Sequence, residues 1–236
     1  MVSTQLNLLL ASTSTVHGAP YLSYLESAVR THFLGCTTVA FVPFARPGGL
    51  TWDDYTARPA AVFAEWGLEL RGIHTWETPE QAAVEADGFF VGGGNTFVLL
   101  DTLQRGGWMA PLDEAVQCGK PYLGSSAGTN LAGPTVGTTN DMPIVEVPTL
   151  DAMGWIPFNL NPHYIDPFEG STHMGETRDQ RIAEFHAFNP QSVIGLREGS
   201  WLTSNGRDHV LHGPHSARIF RAGLPVIEHP QGPLSF

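Results

Sequence analysis

Short apolar runs alternate with longer stretches whose apolar residues recur at helical spacing, and this alternation persists through the first half of the chain. Residues 6–11 read as a buried strand ending in Ser12-Thr13-Ser14-Thr15, and residues 21–33 follow with helical periodicity. The unit then repeats. Residues 37–44, rich in Val, Phe and Thr, predict a second strand; Arg46-Pro47-Gly48-Gly49 breaks the chain, and Thr51 caps a helix running to Trp66, with Gly67 at its end. Residues 68–73 predict a third strand, Thr78-Pro79-Glu80 opens a helix through Ala86, and residues 88–91 form a fourth strand. Helices starting near Asn95 and Ala110 precede a fifth apolar run at residues 121–123.

Strands separated by helices predict an α/β fold, with a mostly parallel sheet covered on both faces. Ligands of such sheets bind beyond the carboxyl ends of the strands. Three segments are thereby expected on one rim: residues 12–15, Gly92-Gly93-Gly94-Asn95, and the turn around Ser126. Beyond Asn130 the pattern is less regular. Residues 180–188 look helical and 192–196 look like another buried strand, while residues 201–204, 210–212 and 217–220 suggest short antiparallel C-terminal strands closing the sheet.

The 236 residues contain no polar low-complexity linker, so one domain spanning 1–236 is expected. Acidic residues outnumber basic ones 23 to 12, and Lys120 is the one lysine; a nucleic-acid surface, which needs clustered Lys and Arg, is not expected. Cys36 and Cys118 lie far apart and read as free thiols rather than a disulfide framework or a metal cluster. The first basic residue is Arg30, and the apolar run at 6–10 is too short for a signal or membrane helix, so a soluble cytoplasmic protein without a membrane partner is expected. Homo-oligomerisation is left open by the sequence.

Gly124-Ser125-Ser126-Ala127-Gly128 stands between the fifth apolar run and Thr129-Asn130-Leu131, where the chain turns from strand to helix. The pattern is that of a nucleophile elbow, in which the middle serine, here Ser126, is lifted above the sheet with its hydroxyl free. The same letters also fit a small-residue turn without chemistry. A serine hydroxyl needs a base to take its proton and a third group to orient that base. Among ten histidines, His163 is distinguished by the extended Asn159-Leu160-Asn161-Pro162 stretch that fixes the backbone before it. By spacing alone, an ordinary loop histidine fits equally well.

Five blocks, occurring in order, carry a family resemblance: residues 90–97 (FVGGGNTF), 124–130 (GSSAGTN), 138–144 (TTNDMPI), Asn161-Pro162-His163 and Gly175-Glu176-Thr177-Arg178. Together they resemble peptidase E, the α-aspartyl dipeptidases of serine peptidase family S51. The resemblance implies a flavodoxin-like sheet related to class I glutamine amidotransferase domains, and hydrolysis of dipeptides whose amino-terminal residue is aspartate. It implies Ser126 as nucleophile and His163 as general base. Asp141 and Glu198 both match carboxylates of that site; Glu198, directly after a predicted buried strand, is favoured as the partner of His163, leaving Asp141 to hold the substrate ammonium or shape the pocket. Arg178 is implied to contact the substrate aspartate, a role suited to a guanidinium that pairs bidentately with carboxylate, and Asn95 is taken with it as substrate-binding.

Oxyanion stabilisation needs backbone N–H donors, which the glycine run (Gly93 and Gly94) and Ala127 are suited to supply. Gly170, Ser171 and Gly175 suggest a mobile segment beside Arg178. His209, His212 and His215 do not predict a metal site, because strand alternation sends the first two to opposite faces and Gly213-Pro214 turns the chain before the third. No cofactor is expected. Competing readings are a cyanophycinase-like peptidase, an esterase, and a small-molecule-binding homologue without catalysis.

Overall fold

The computed structural model describes residues 5–167 and 175–235. At its centre are five strands: β1 (Leu8–Ala11), β2 (Thr38–Val42), β3 (Glu69–Gly72), β4 (Gly88–Val91) and β5 (Tyr122–Ser125). They lie side by side in the order β1-β5-β4-β2-β3 and all run parallel. Helices α1 (Glu26–His32), α2 (Trp52–Glu65), α3 (Pro79–Glu85), α4 (Thr96–Arg105) and α5 (Met109–Gln117) alternate with them. The caps read from the sequence are in place. Thr51 accepts from the Asp54 N–H, Thr78 from the Gln81 N–H, and Asn95 from the N–H groups of Phe97 and Val98.

Successive strand residues point to opposite faces, and here both faces are covered. Leu8, Leu10, Phe89 and Val91 pack with Leu99 and Leu103 of α4 and Leu112 of α5. Leu9, Ala11, Phe41 and Phe90 pack against Val29 of α1 and Phe63 of α2. That two-sided burial is why these strands are continuous apolar runs rather than alternating ones. The helix expected over 21–33 is shorter than its periodicity: Leu22 adopts φ 57° and a 3-10 turn over Ser23–Leu25 precedes α1.

The carboxyl-terminal half departs further from expectation. Helix α6 (Ala127–Asn130) follows β5, and then come β6 (Asn159–Pro162), α7 (Arg178–His186) and β7 (Val193–Leu196). β8 (Trp201–Ser204) lies antiparallel beside β1, β9 (His209–His212) pairs with β8, and β12 (Gly232–Pro233) with β9, so these strands extend the central sheet. β10 (Ala217–Phe220), expected in the same sheet, instead joins β11 (Ile227–His229), β7 and β6 in a second sheet of order β11-β10-β7-β6. Alternation specifies which face of a four-residue strand is buried but not which strand lies beside it. Leu160, Ile194, Leu196 and Ala217 of the second sheet pack into the same core as Leu8 and Leu10.

On β9 the two histidines do occupy opposite faces. His209 is buried edge-on to Phe158, and His212 stacks on Trp201. Among the described residues, no helix is long and apolar enough to cross a membrane.

His32, at the end of α1, places its Nε2 3.0 Å from the Tyr122 carbonyl oxygen; the neutral ring donates to it. Burial pushes the His32 pKa down from 6.5 to about 4, outweighing the opposing effect of that hydrogen bond. An unfolded chain takes up the proton near pH 6.5 and the native one only near pH 4, so acid favours unfolding across that window. The unfolding free energy is therefore expected to drop by up to about 3 kcal/mol between those pH values through this group. Denaturant titrations of the unaltered protein and of His32→Gln check this: the variant's stability should depend less steeply on pH over that interval, and parallel curves would refute it.

Candidate active site

The chain leaves β5 through Ser126, whose φ of 54° and ψ of −106° form the sharp turn of an elbow before α6. Such a conformation is costly for a residue with a Cβ and persists only where neighbours impose it. They do so here. The Ser126 N–H donates to the Ala11 carbonyl at 3.1 Å, and its own carbonyl accepts from the N–H groups of Thr129 and Asn130. The Thr129 hydroxyl contacts the Ala11 and Gly124 carbonyls, and the Tyr122 hydroxyl donates to the Gly128 carbonyl.

Both flanking glycines are demanded by space. A Cβ on Gly124 would lie 2.5 Å from the Gly128 carbonyl oxygen, and one on Gly128 would lie 2.2 Å from that of Val91. Strand and helix can therefore meet closely only without side chains at these positions. Ser125 points into the protein and is fully buried, whereas Ser126 is partly exposed at the mouth of the turn.

The Ser126 hydroxyl lies 3.0 Å from His163 Nε2, and His163 Nδ1 lies 2.6 Å from Glu198 Oε1. A carboxylate only accepts, so the proton on this imidazole sits on Nδ1 and Nε2 is left to accept from the serine. His163 follows β6 with φ 54° and Glu198 follows β7, so the pairing of these two strands brings base and acid together. Neither strand belongs to the central sheet that carries Ser126. One buried side chain ties the sheets at this point. The Ser12 hydroxyl, just after β1, donates to the Leu196 carbonyl at 2.7 Å and accepts the His163 N–H at 2.9 Å.

Arg197, next to Glu198, pairs bidentately with Asp166 at 2.7 and 2.6 Å and reaches Glu228 of β11 at 2.5 Å. These bonds hold the Asp166 carboxyl below its ordinary pKa and push the Arg197 guanidinium above its own. The segment after His163 and the backbone that presents Glu198 are thus clamped to one another.

Asp141 is not the partner of His163. A single oxygen, Oδ2, accepts from the Thr96 N–H at 2.8 Å, the Thr96 hydroxyl at 2.6 Å and the Thr139 hydroxyl at 3.0 Å, at the amino terminus of α4. Its block braces the site from below: Asn140 donates to the Pro162 carbonyl, and Asn161 donates to the Asn140 side chain. The Asn95 side chain is engaged as well, capping α4 through Oδ1 and donating to the Met142 carbonyl through Nδ2.

The glycine run follows β4, and each member meets a different neighbour. A Cβ on Gly92 would lie 2.6 Å from the Tyr55 hydroxyl; on Gly93 it would touch the Ser126 side chain at 3.1 Å; and Gly94, at φ 145°, would meet the Ala45 carbonyl at 2.2 Å. Tyr55 donates to the Gly93 carbonyl at 2.7 Å, so the trans peptide that follows directs the Gly94 N–H away from the tyrosine. Ala127 is the first residue of α6, and its N–H has no backbone acceptor among the described residues.

Arg178 is the first residue of α7, behind a capping box formed by Thr177 and Gln180. Burial and Arg181 lower its pKa from the ordinary arginine value, while the Asp141 carboxylate acts in the opposite sense. The neighbouring Asp179 pairs with Arg218 at 3.0 Å and accepts from the hydroxyl of Tyr164, which follows His163 in the chain. Gly170 and Ser171 lie outside the described residues, and Gly175 is exposed.

The three expected rim segments do meet. Thr13 to Thr15, Gly93 to Asn95 and Ser126 line one cleft of about 640 Å³, together with His163, Asp141 and the Ala45-Arg46-Pro47 segment. Ser12 belongs to an expected rim segment, but its tie between the sheets, and the places of Tyr55 and Arg46 at the site, are not legible in the sequence. A serine after a strand, a tyrosine in a helix and an arginine in a chain break carry no local signal of such contacts.

The family model for peptidase family S51 matches residues 8–211. A protein named Peptidase E from Streptomyces coelicolor is 49% identical over 223 residues, covering 94% of this chain and 90% of the relative. A "Probable alpha-aspartyl dipeptidase" from Drosophila melanogaster is 45% identical, covering 92% and 90%. The crystal structure of a peptidase from an acI-B1 Actinobacterium superposes with a TM-score of 0.71 at 17% identity, covering 99% and 98%, and shares the fold. With a family match from β1 to β9 and close relatives aligned over nearly its full length, the chain belongs to peptidase family S51.

Proposed function

We propose that this protein hydrolyses dipeptides with an amino-terminal aspartate, through an acyl-enzyme on Ser126. The observation that carries the reading is the continuous hydrogen-bonded series from Ser126 through His163 to Glu198. In this mechanism the Ser126 oxygen attacks the aspartyl carbonyl carbon as its proton passes to His163 Nε2. Glu198 holds the imidazole in the tautomer that can accept and stabilises the imidazolium that forms. The N–H groups of Ala127 and of the Gly93–Gly94 segment serve the oxyanion, preorganised by the α6 terminus and by Tyr55. Collapse of the intermediate breaks the C–N bond, and His163 returns its proton to the departing amine. Water, deprotonated by the same histidine, then releases aspartate from the serine.

For recognition, Arg178 pairs with the substrate β-carboxylate and Asp141 with its ammonium group, an arrangement supported by the electrostatic coupling of these two residues. A cyanophycinase-like substrate bearing arginine side chains would call for acidic walls, whereas Arg46 and Arg178 bring positive charge to this site.

The test is selectivity. The unaltered enzyme is expected to cleave Asp-Leu far faster than Asn-Leu, and Arg178→Ala to lower kcat/KM for Asp-Leu by about 10- to 100-fold, the worth of a hydrogen-bonded charge pair. Asn-Leu should lose much less, because its amide forms no charge pair. Equal activity of the unaltered enzyme on both substrates would overturn the assignment of aspartyl specificity.

A further inference from the structure

Within the reading just proposed, one charge of the substrate has no counterpart. An Asp-Xaa dipeptide carries an ammonium group, a β-carboxylate and, on the departing residue, an α-carboxylate. Asp141 and Arg178 answer the first two. The chain as a whole carries a formal charge of −11, so a carboxylate is drawn into the cleft only by local positive charge.

Arg46 supplies such a charge. It lines the same cleft as Ser126 and His163. Its guanidinium lies 5.3 Å from the centre of the Tyr55 ring, and that ring is itself fixed, edge-on to Phe41 and bonded through its hydroxyl to the Gly93 carbonyl. The backbone beneath it is fixed too. Ala45 accepts the Asn95 N–H at 2.7 Å and packs against Gly94, so Arg46 begins one residue from the glycine run beside the nucleophile. Arg30, Arg105, Arg197 and Arg218 are each paired with a carboxylate, but Arg46 has no acidic partner among the described residues. The guanidinium also bonds to the Tyr55 hydroxyl oxygen, which fixes its position and leaves its other N–H donors for a planar oxyanion.

We infer that Arg46, seated on Tyr55, is the subsite for the α-carboxylate of the departing residue, and that it restricts the enzyme to substrates ending one residue beyond the scissile bond. The inference rests on the aspartyl-dipeptidase reading. It also gives Tyr55 two tasks, since one ring supports the carboxylate-binding cation while its hydroxyl orients the glycine run.

Three substrates separate the possibilities: Asp-Leu, Asp-Leu amide and aspartyl p-nitroanilide, of which only the first has the α-carboxylate. The unaltered enzyme is expected to favour Asp-Leu over Asp-Leu amide by about 10- to 100-fold in kcat/KM. Arg46→Gln should erase that preference by lowering Asp-Leu turnover to the level of the amide, with the amide and the anilide changing by less than about twofold. Equal cleavage of Asp-Leu and its amide by the unaltered enzyme, or a uniform loss on all three substrates in Arg46→Gln, would overturn the subsite and leave aspartyl hydrolysis standing. Loss of Asp-over-Asn preference in Arg46→Gln would also overturn it, by assigning Arg46 to the β-carboxylate. Failure of the unaltered enzyme to cleave any aspartyl substrate would remove the underlying reading and the subsite with it.

Discussion

Ser126→Ala is expected to reduce kcat on Asp-Leu by at least about ten-thousandfold, with the folded structure retained. The size follows from the mechanism: without the hydroxyl no acyl-enzyme forms, and what remains is oxyanion stabilisation and binding acting on water. Retention of the fold follows from the contacts. The elbow is held by the Ser126 backbone, by the Thr129 and Tyr122 hydroxyls and by the close approach of Gly128 to Val91, none of which uses the Ser126 side chain. Among the described residues the hydroxyl bonds to His163 alone, so its removal should change stability by no more than about 1 kcal/mol. Steady-state turnover, thermal unfolding and mass-spectrometric detection of an aspartyl adduct on the unaltered protein check the three parts. Turnover within tenfold of the unaltered enzyme would discard the serine mechanism.

The second large effect separates the two acids. Glu198→Gln should lower kcat by about 100- to 1,000-fold, because the amide NH2 facing His163 Nδ1 favours the tautomer that places the proton on Nε2, where it blocks acceptance from Ser126. Glu198 is about half exposed, and water can partly replace it, so the loss should fall short of that for a fully buried triad acid. Asp141→Asn should behave differently. Its three donors converge on one oxygen, and the carbonyl oxygen of asparagine can accept from all of them. A change in kcat below about tenfold is expected, with KM rising through loss of the charge proposed to meet the substrate ammonium. Measuring kcat and KM for both variants decides the matter; a larger fall in kcat for Asp141→Asn than for Glu198→Gln would reverse the roles.

Much of the site could be read from local sequence because local chemistry produces it. The elbow is written in five residues: Gly124 is required by its 2.5 Å approach to the Gly128 carbonyl and Ser126 occupies the turn, while Gly128 in its place answers to Val91 of β4 at 2.2 Å. Thr51, Thr78 and Asn95 announce the helices they cap, for their side chains bond to backbone two or three residues ahead. The parallel strands were equally plain, since burial on both faces leaves an uninterrupted apolar run.

The choice between Asp141 and Glu198 was of another kind. The predicted buried strand before Glu198 favours it over Asp141, but separation in sequence from His163 says nothing of distance. The pairing of β6 with β7 puts Glu198 beside the imidazole, while the amino terminus of α4 draws Asp141 to Thr96. The second sheet itself was hidden for the same reason, because β10 shows which of its residues are buried but not that its neighbour is β7 rather than β9. By itself, then, the sequence determined the α/β succession, the helix caps and the place of the strand-to-helix turn at Ser126, which are written in residues a few positions apart. Tertiary structure alone decided the partner of His163, the Ser12 tie between the sheets, and the meeting of Arg46 and Tyr55 with the glycine run. Those contacts join residues far apart in the chain, and only the packing of one strand or helix against another brings them within bonding distance.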